Sequence, residues 1–204
     1  MENQNTISTI LMANSYGQSD VLAFQDYKFE GLENGFARIK TKAAGINPID
    51  ARRMTGEFKH AALPQTFGTE FSGEIIAIGD NSKGFKIGDI VLGSGGGFTH
   101  ATIIDVPIGN LIKKPENISF EVAGSIPGVA QTAMTILDEL GPIQALLIDG
   151  ASGGVGSITV QLAIERGIKV VGTASKRNLD YVKQLGATAV EYGDGLIERI
   201  NEVH

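Results

Sequence analysis

Asp149-Gly150-Ala151-Ser152-Gly153-Gly154-Val155-Gly156 is the stretch that decides how this chain folds. Before it stands the apolar run Ala145-Leu146-Leu147-Ile148; after it Val155, Ile158, Leu162 and Ala163 recur at helical spacing and predict one buried face. Between a strand and a helix, glycines at 150, 153 and 156 permit three things: a tight turn, close approach of backbone to a pyrophosphate, and close packing of helix on strand. The N–H groups of the helix's first turn then face the phosphates, aided by the helix dipole. Gly150, Ser152, Gly153, Gly154, Val155 and Gly156 are the candidate contacts. The spacing is GxxGxxG, one residue longer than the usual GxGxxG, and the bland alternative is a glycine turn that holds nothing.

Two other motifs share these letters. Gly150-Ala151-Ser152-Gly153-Gly154 also spells GxSxG, a serine nucleophile elbow, but the only later histidine is His204 and no His-Gly-Gly segment precedes the turn. Gly150, Gly154 and Gly156 fit the GxxxGxG of short-chain dehydrogenases, yet neither Tyr181 nor Tyr192 has a lysine four residues on.

Working outward, Gly167 closes the helix as a left-handed cap. Lys169 to Thr173 then reads as a strand, Asn178 to Leu185 as a helix closed by Gly186, Thr188 to Tyr192 as a third strand, and Leu196 to Val203 as a third helix. Strand, helix, strand, helix, strand is half of a doubly wound parallel sheet. An NAD site usually carries Asp or Glu about 20 residues past the glycines. Here Val171-Gly172-Thr173-Ala174-Ser175-Lys176-Arg177 has no carboxylate, Gly172 leaves room, and Ser175, Lys176 and Arg177 suit a 2′-phosphate. The expected cofactor is NADP(H), against a solvated helix start.

Upstream, residues from about 5 to 115 read as short strands between turn signals. Ile7 to Met12, Ala37 to Ala43, Glu74 to Ile78 and Ile90 to Leu92 are bounded by Gly, Asn, Asp or Pro, as in Gly79-Asp80-Asn81-Ser82. Such strands bury little alone and predict a closed barrel or sandwich. After Lys113-Lys114-Pro115-Glu116-Asn117 the period lengthens. Ser119 is a helix cap with Glu121 in the first turn, Pro127-Gly128 interrupts, and a helix from about Val129 to Leu140 stops at Gly141-Pro142. The division expected is 1–122 and 123–204.

Composition narrows the function. Lys and Arg number 17 against 23 Asp and Glu, a net charge of −6 with no dense Lys/Arg run, which argues against a nucleic-acid partner. No apolar run approaches the roughly 20 residues of a membrane span. Met1-Glu2-Asn3-Gln4-Asn5 lacks the pattern of a secretory signal, and the expectation is a cytoplasmic protein. Cysteine is absent, which removes disulfides, thiolate nucleophiles and Cys-containing zinc sites. His60, His100 and His204 have no metal-site spacing and read as surface or loop residues, so no metal ligand is named.

These residues together resemble the medium-chain dehydrogenase/reductase superfamily, in its zinc-free quinone-oxidoreductase (zeta-crystallin-like) branch. The carrying segments are Ala44-Gly45-Ile46-Asn47-Pro48-Ile49-Asp50, Phe67-Gly68-Thr69-Glu70-Phe71-Ser72-Gly73, Gly84 to Asp89, Ile126-Pro127 through Gln131-Thr132-Ala133, and the turn from Gly150 to Gly156. The resemblance implies a GroES-like barrel domain at 1–122 and half of a Rossmann NADP-binding domain at 123–204, with the active site in the cleft between them. Zinc-dependent members carry Cys and His where this chain has Asn47 and Thr69. By resemblance Asn47 lies near the nicotinamide, Thr132 contacts the nicotinamide end, and Ser175, Lys176 and Tyr192 flank the adenosine phosphate. The implied chemistry is hydride transfer from NADPH to an enone, alkenal or quinone, with orientation and a hydrogen-bond donor from the protein. Many quinone reductases have Tyr five residues after the Asn; this chain has Arg52, either a polarising group for a substrate oxygen or a surface arginine.

Relatives run well beyond this length, whereas the chain stops in the helix after the third strand. Three explanations stand: a sequence cut short, a partner or homo-oligomer covering the sheet edge, or a decayed gene product. The rival to a reductase is a non-catalytic NADPH-binding or interaction protein, with a zinc-independent alcohol dehydrogenase-like activity behind both.

Overall fold

A computed structural model describes residues 6–58, 62–80 and 82–203. His60, His204 and the opening Met1 to Asn5 lie outside the described residues, as does Asn81 of the expected turn. The chain divides into two compact units at Gly128/Val129.

The first unit begins with β1 (Thr6–Ala13), β2 (Leu22–Phe29), β3 (Phe36–Ala44) and α1 (Pro48–Thr55). It continues with β4 (Gln65–Thr66), β5 (Glu70–Ile78), β6 (Ile90–Ser94), β7 (Ile103–Pro107), β8 (Leu111–Lys113) and α2 (Phe120–Ser125). β7-β3-β5-β6-β8 form an antiparallel sheet whose inward side chains, among them Ile39, Phe71, Ile75, Val91, Ile104 and Val106, make one core. β2-β1-β4 form a second sheet. It is joined to the first by the Leu11 N–H, which donates to the His100 carbonyl at 2.9 Å, and by Ser8, whose hydroxyl donates to the Ile103 carbonyl at 2.7 Å. Short strands closing on one another are the expected barrel architecture. Arg38, 6 % exposed, pairs with Asp105 at 2.8 Å across β3 and β7, so this buried cation is matched on the neighbouring strand.

α1, β2, β4, β7 and β8 were not expected. α1 reads Pro-Ile-Asp-Ala-Arg-Arg-Met-Thr and has no apolar stripe; the one residue it buries is Asp50. That carboxylate takes the Asn47 N–H at 2.9 Å and the Gly68 N–H at 2.9 Å, so capping, not amphipathic burial, fixes the helix. Ser119 caps α2 as expected, accepting the Val122 N–H at 3.2 Å.

α3 spans Pro127–Leu140, two residues earlier than expected, because proline at the first helical position sacrifices no N–H bond. The second unit continues with β9 (Ala145–Ile148), α4 (Gly154–Glu165), β10 (Lys169–Ala174), α5 (Leu179–Gln184), β11 (Thr188–Glu191) and α6 (Leu196–Val203). β11-β10-β9 is a parallel sheet, with the alternation expected of half a doubly wound fold. The buried face of α4 differs from expectation: Ser157, Thr159, Val160 and Ala163 are buried, whereas Val155, Ile158 and Leu162 are half-buried. Small side chains let the helix lie close to the sheet, which pushes the larger ones to the flanks.

Candidate functional site

The C-terminal ends of β9, β10 and β11 bring the candidate cofactor residues together. After β9, Gly150 turns the chain at φ 74°, a left-handed conformation that glycine adopts without strain. The Gly153 N–H donates to the Gly150 carbonyl at 2.9 Å, and Gly153 caps α4. A Cβ on Gly156 would collide with the Gly150 carbonyl oxygen and lie 2.9 Å from Ala151 Cα, so helix and turn touch through bare backbone. The Ser157 N–H is the first to find a carbonyl one turn back, Gly153's at 2.8 Å. The N–H groups of Gly154, Val155 and Gly156 precede it and have no acceptor within the helix, which is the arrangement that receives an anion. A groove of 440 Å3 runs along this turn, lined by Asp149, Gly150, Gly153, Val155, Gly156 and Thr159 among others.

β10 ends at the second part of the site. Ser175 opens a short 3-10 turn over Lys176–Asn178, whose Asn178 N–H donates to the Ser175 carbonyl at 2.8 Å. Lys176 and Arg177 are exposed, and among the described residues neither makes an ion pair. Tyr192 follows β11, its N–H on the Ala174 carbonyl at 3.2 Å, with the ring half-exposed. Backbone pairing thus carries Tyr192 next to Ser175, a juxtaposition spacing alone does not reveal. The Asn178 side-chain amide donates to Ser152 Oγ at 3.2 Å, linking this segment to the glycine turn. Ser152 is therefore held by an amide, and no described residue of this unit is a histidine, so a serine nucleophile has no base here.

Gly172 does not serve as expected. A Cβ there would lie 2.7 Å from Ala151 Cβ and 2.9 Å from Val182 Cγ1. The missing side chain makes room for the turn and α5 to pack on β10, not for a nucleotide.

In the first unit, Asn47 leads into α1. Its side-chain amide donates to Glu70 Oε1 at 2.8 Å and approaches Thr69 Oγ1 at 3.4 Å. Glu70, 2 % exposed, also accepts the Gly128 N–H on Oε2 at 2.7 Å. Gly45 is required beside it, since a Cβ would meet the Glu70 carboxyl carbon at 2.8 Å. Glu70 belongs to the resemblance-carrying segment Phe67 to Gly73 but was given no role from sequence; its signal was a lone acid in a segment with no other charge. Arg52 sits exposed on α1, 3.7 Å from Glu57 and with its guanidinium 6.0 Å from the Phe58 ring centre. Thr132 is exposed on α3. His100 is a half-buried loop residue whose Nε2 lies 2.9 Å from the Gly45 carbonyl. No cluster of three metal-ligating side chains occurs among the described residues, and no described helix is long and apolar enough to cross a membrane.

Comparison with known proteins follows the same outline. Residues 33–135 match the family model described as the alcohol dehydrogenase GroES-like domain. The chain is 33 % identical over 198 residues to a 2-methylene-furan-3-one reductase from Solanum lycopersicum, covering 87 % of this chain and 50 % of that protein. It is 31 % identical over 202 residues to an NADPH-dependent alkenal/one oxidoreductase, chloroplastic, from Arabidopsis thaliana, covering 90 % and 52 %. The solved quinone oxidoreductase from Coxiella burnetii superposes with a TM-score of 0.83 at 31 % identity, covering 95 % of this chain and 65 % of that one. The chain spans about half the length of the curated relatives it matches.

Proposed function

We propose, for a chain that belongs to the medium-chain dehydrogenase/reductase superfamily in its quinone-oxidoreductase branch, a zinc-independent transfer of hydride from NADPH to a quinone, enone or alkenal. The observation that carries this reading is the grouping of the Gly150 to Gly156 turn, Ser175 to Arg177 and Tyr192 at one end of one parallel sheet. Bound there, the nucleotide supplies a hydride donor.

The residues fit such a ligand. The first-turn amides of Gly154, Val155 and Gly156 suit a diphosphate, and at Gly150 and Gly156 turn and helix meet through bare backbone. Lys176 and Arg177, with Ser175 beside them, suit a 2′-phosphate, and Tyr192 offers a ring to the adenosine. We assign residues 123–204 to the nucleotide and 1–122 to the substrate. Thr132 serves the nicotinamide end, and Asn47 stands near the reacting ring, its amide oriented by Glu70. Arg52 polarises the substrate oxygen once it leaves Glu57. Asn47 and Thr69 occupy the positions where zinc-dependent members carry ligands, and a carboxamide beside a hydroxyl is a poor donor set for zinc. A conjugated carbonyl accepts hydride at carbon without a metal, which agrees with the alkenal/one and furanone reductases among the relatives.

The test is a fluorescence titration with NADPH and NADH, followed by turnover of a quinone and an alkenal. NADPH is expected to bind more tightly. Lys176→Ala with Arg177→Ala should remove that preference, weakening NADPH by about tenfold or more and NADH little. Equal affinity of the unaltered chain for both nucleotides refutes the phosphate assignment. Binding without turnover supports instead a nucleotide-binding protein that performs no hydride transfer.

A further inference from the structure

The end of β10 grips the glycine turn from behind through one residue. Thr173 is 1 % exposed. Its hydroxyl donates to Asp149 Oδ1 and accepts the Gly150 N–H at 3.1 Å, while its carbonyl accepts the Ala151 N–H at 2.9 Å. Three consecutive residues of the turn are therefore tied to one buried position, including the left-handed Gly150. A hydroxyl has a single hydrogen; once that is given to Asp149, its lone pairs face the Gly150 N–H, and both bonds have a fixed direction.

Asp149 is exposed and borders the same groove as Gly150, Gly153, Val155 and Gly156. A carboxylate there is the wrong charge for a diphosphate, and its repulsion depends on where its oxygens point. We propose that Thr173 is a positioning residue for nucleotide binding. It holds the Asp149 carboxylate against the strand, so that the turn presents amide hydrogens and not a negative charge to the diphosphate. This rests on the NADPH reading above. Thr173 touches no ligand itself; it acts through Asp149 and Gly150.

The test is NADPH titration of the whole chain, at low and high salt, for the unaltered protein and for Thr173→Val, Thr173→Ser, Asp149→Asn and the Thr173→Val/Asp149→Asn pair. Circular dichroism reports the folding of each, and Thr173→Ala replaces valine should the latter not fold. Thr173→Val should weaken NADPH by about tenfold, the worth of one lost charge-assisted bond, and salt should shrink the loss as the freed carboxylate is screened. Thr173→Ser should bind as the unaltered chain does. Asp149→Asn in the valine background should recover most of the affinity, which a merely structural threonine does not predict. Unchanged affinity in Thr173→Val overturns the proposal, as does a loss that Asp149→Asn fails to recover. An unaltered chain that takes up no NADPH overturns the cofactor reading itself, an outcome distinct from the other two.

Discussion

Alanine at Gly156 and alanine at Gly154, two residues apart in the first turn of α4, should act in opposite directions. At Gly154 a Cβ would stand 3.4 Å from Val129 Cγ1, an ordinary contact on an exposed position. Replacing glycine in a helix gains up to about 1 kcal/mol of backbone entropy, so Gly154→Ala should be neutral to stabilising. At Gly156 the added methyl would overlap the Gly150 carbonyl oxygen and sit 2.9 Å from Ala151 Cα and 3.0 Å from Gly150 C. Those are backbone atoms, and no rotamer change relieves them. Overpacking of this kind costs about 1–3 kcal/mol, and without relief the upper part of that range applies. After the helix gain the net loss is about 2 kcal/mol, or several degrees of melting temperature for a unit of this size. Thermal unfolding followed by circular dichroism measures this, and NADPH titration should show the larger contrast, because the overlap forces the turn away from the helix that supplies the amides. Identical melting and binding for the two variants would refute the close-approach argument.

Glu70→Ala leaves the Asn47 amide and the Gly128 N–H without their buried acceptor, at about 1–3 kcal/mol each in urea unfolding. Glu70→Gln keeps one good acceptor and should cost less; equal losses would show that the hydrogen bonds contribute nothing. Asp89 is pulled upward by desolvation, but the Lys86 N–H and the Lys113 ammonium, each 3.1 Å away, together hold its carboxyl below the ordinary value. A lowered native value adds stability above the ordinary carboxylate range, and that stability fades as pH falls through the native value. Asp89→Asn should therefore narrow its stability gap to the unaltered protein on acidification, and a gap independent of pH would contradict the pairing.

The second unit was legible because its signals are local. Gly141, Gly150, Gly167 and Gly186 each adopt positive φ at an element boundary, and the strands that follow Gly141, Gly167 and Gly186 span four to six residues, each with at least two consecutive apolar positions. The first unit hid its elements for physical reasons. β2, Leu-Ala-Phe-Gln-Asp-Tyr-Lys-Phe, buries no residue fully and so shows no alternation of apolar and polar positions. α1 is held by the hydrogen bonds of Asp50, which no periodicity test detects. At the candidate site, the glycine turn and the Ser175 to Arg177 segment we assign to the nucleotide are contiguous in sequence, whereas the residues that hold the site in place are distant from it along the chain. Glu70 reaches 58 positions along the chain to Gly128, and Thr173 reaches 24 to Asp149. Such pairings depend on which strands become neighbours, so a single sequence does not display them.

β9 is bonded on one side only among the described residues, to β10. Its four residues, Ala145 to Ile148, include neither a charge nor a proline, and Leu147 is half-exposed. An unguarded rail of amides and carbonyls is a template for any extended chain that meets it. Crowding molecules together in the test tube therefore favours stacking through this strand, and a lysine at position 145 is the smallest change that would discourage it.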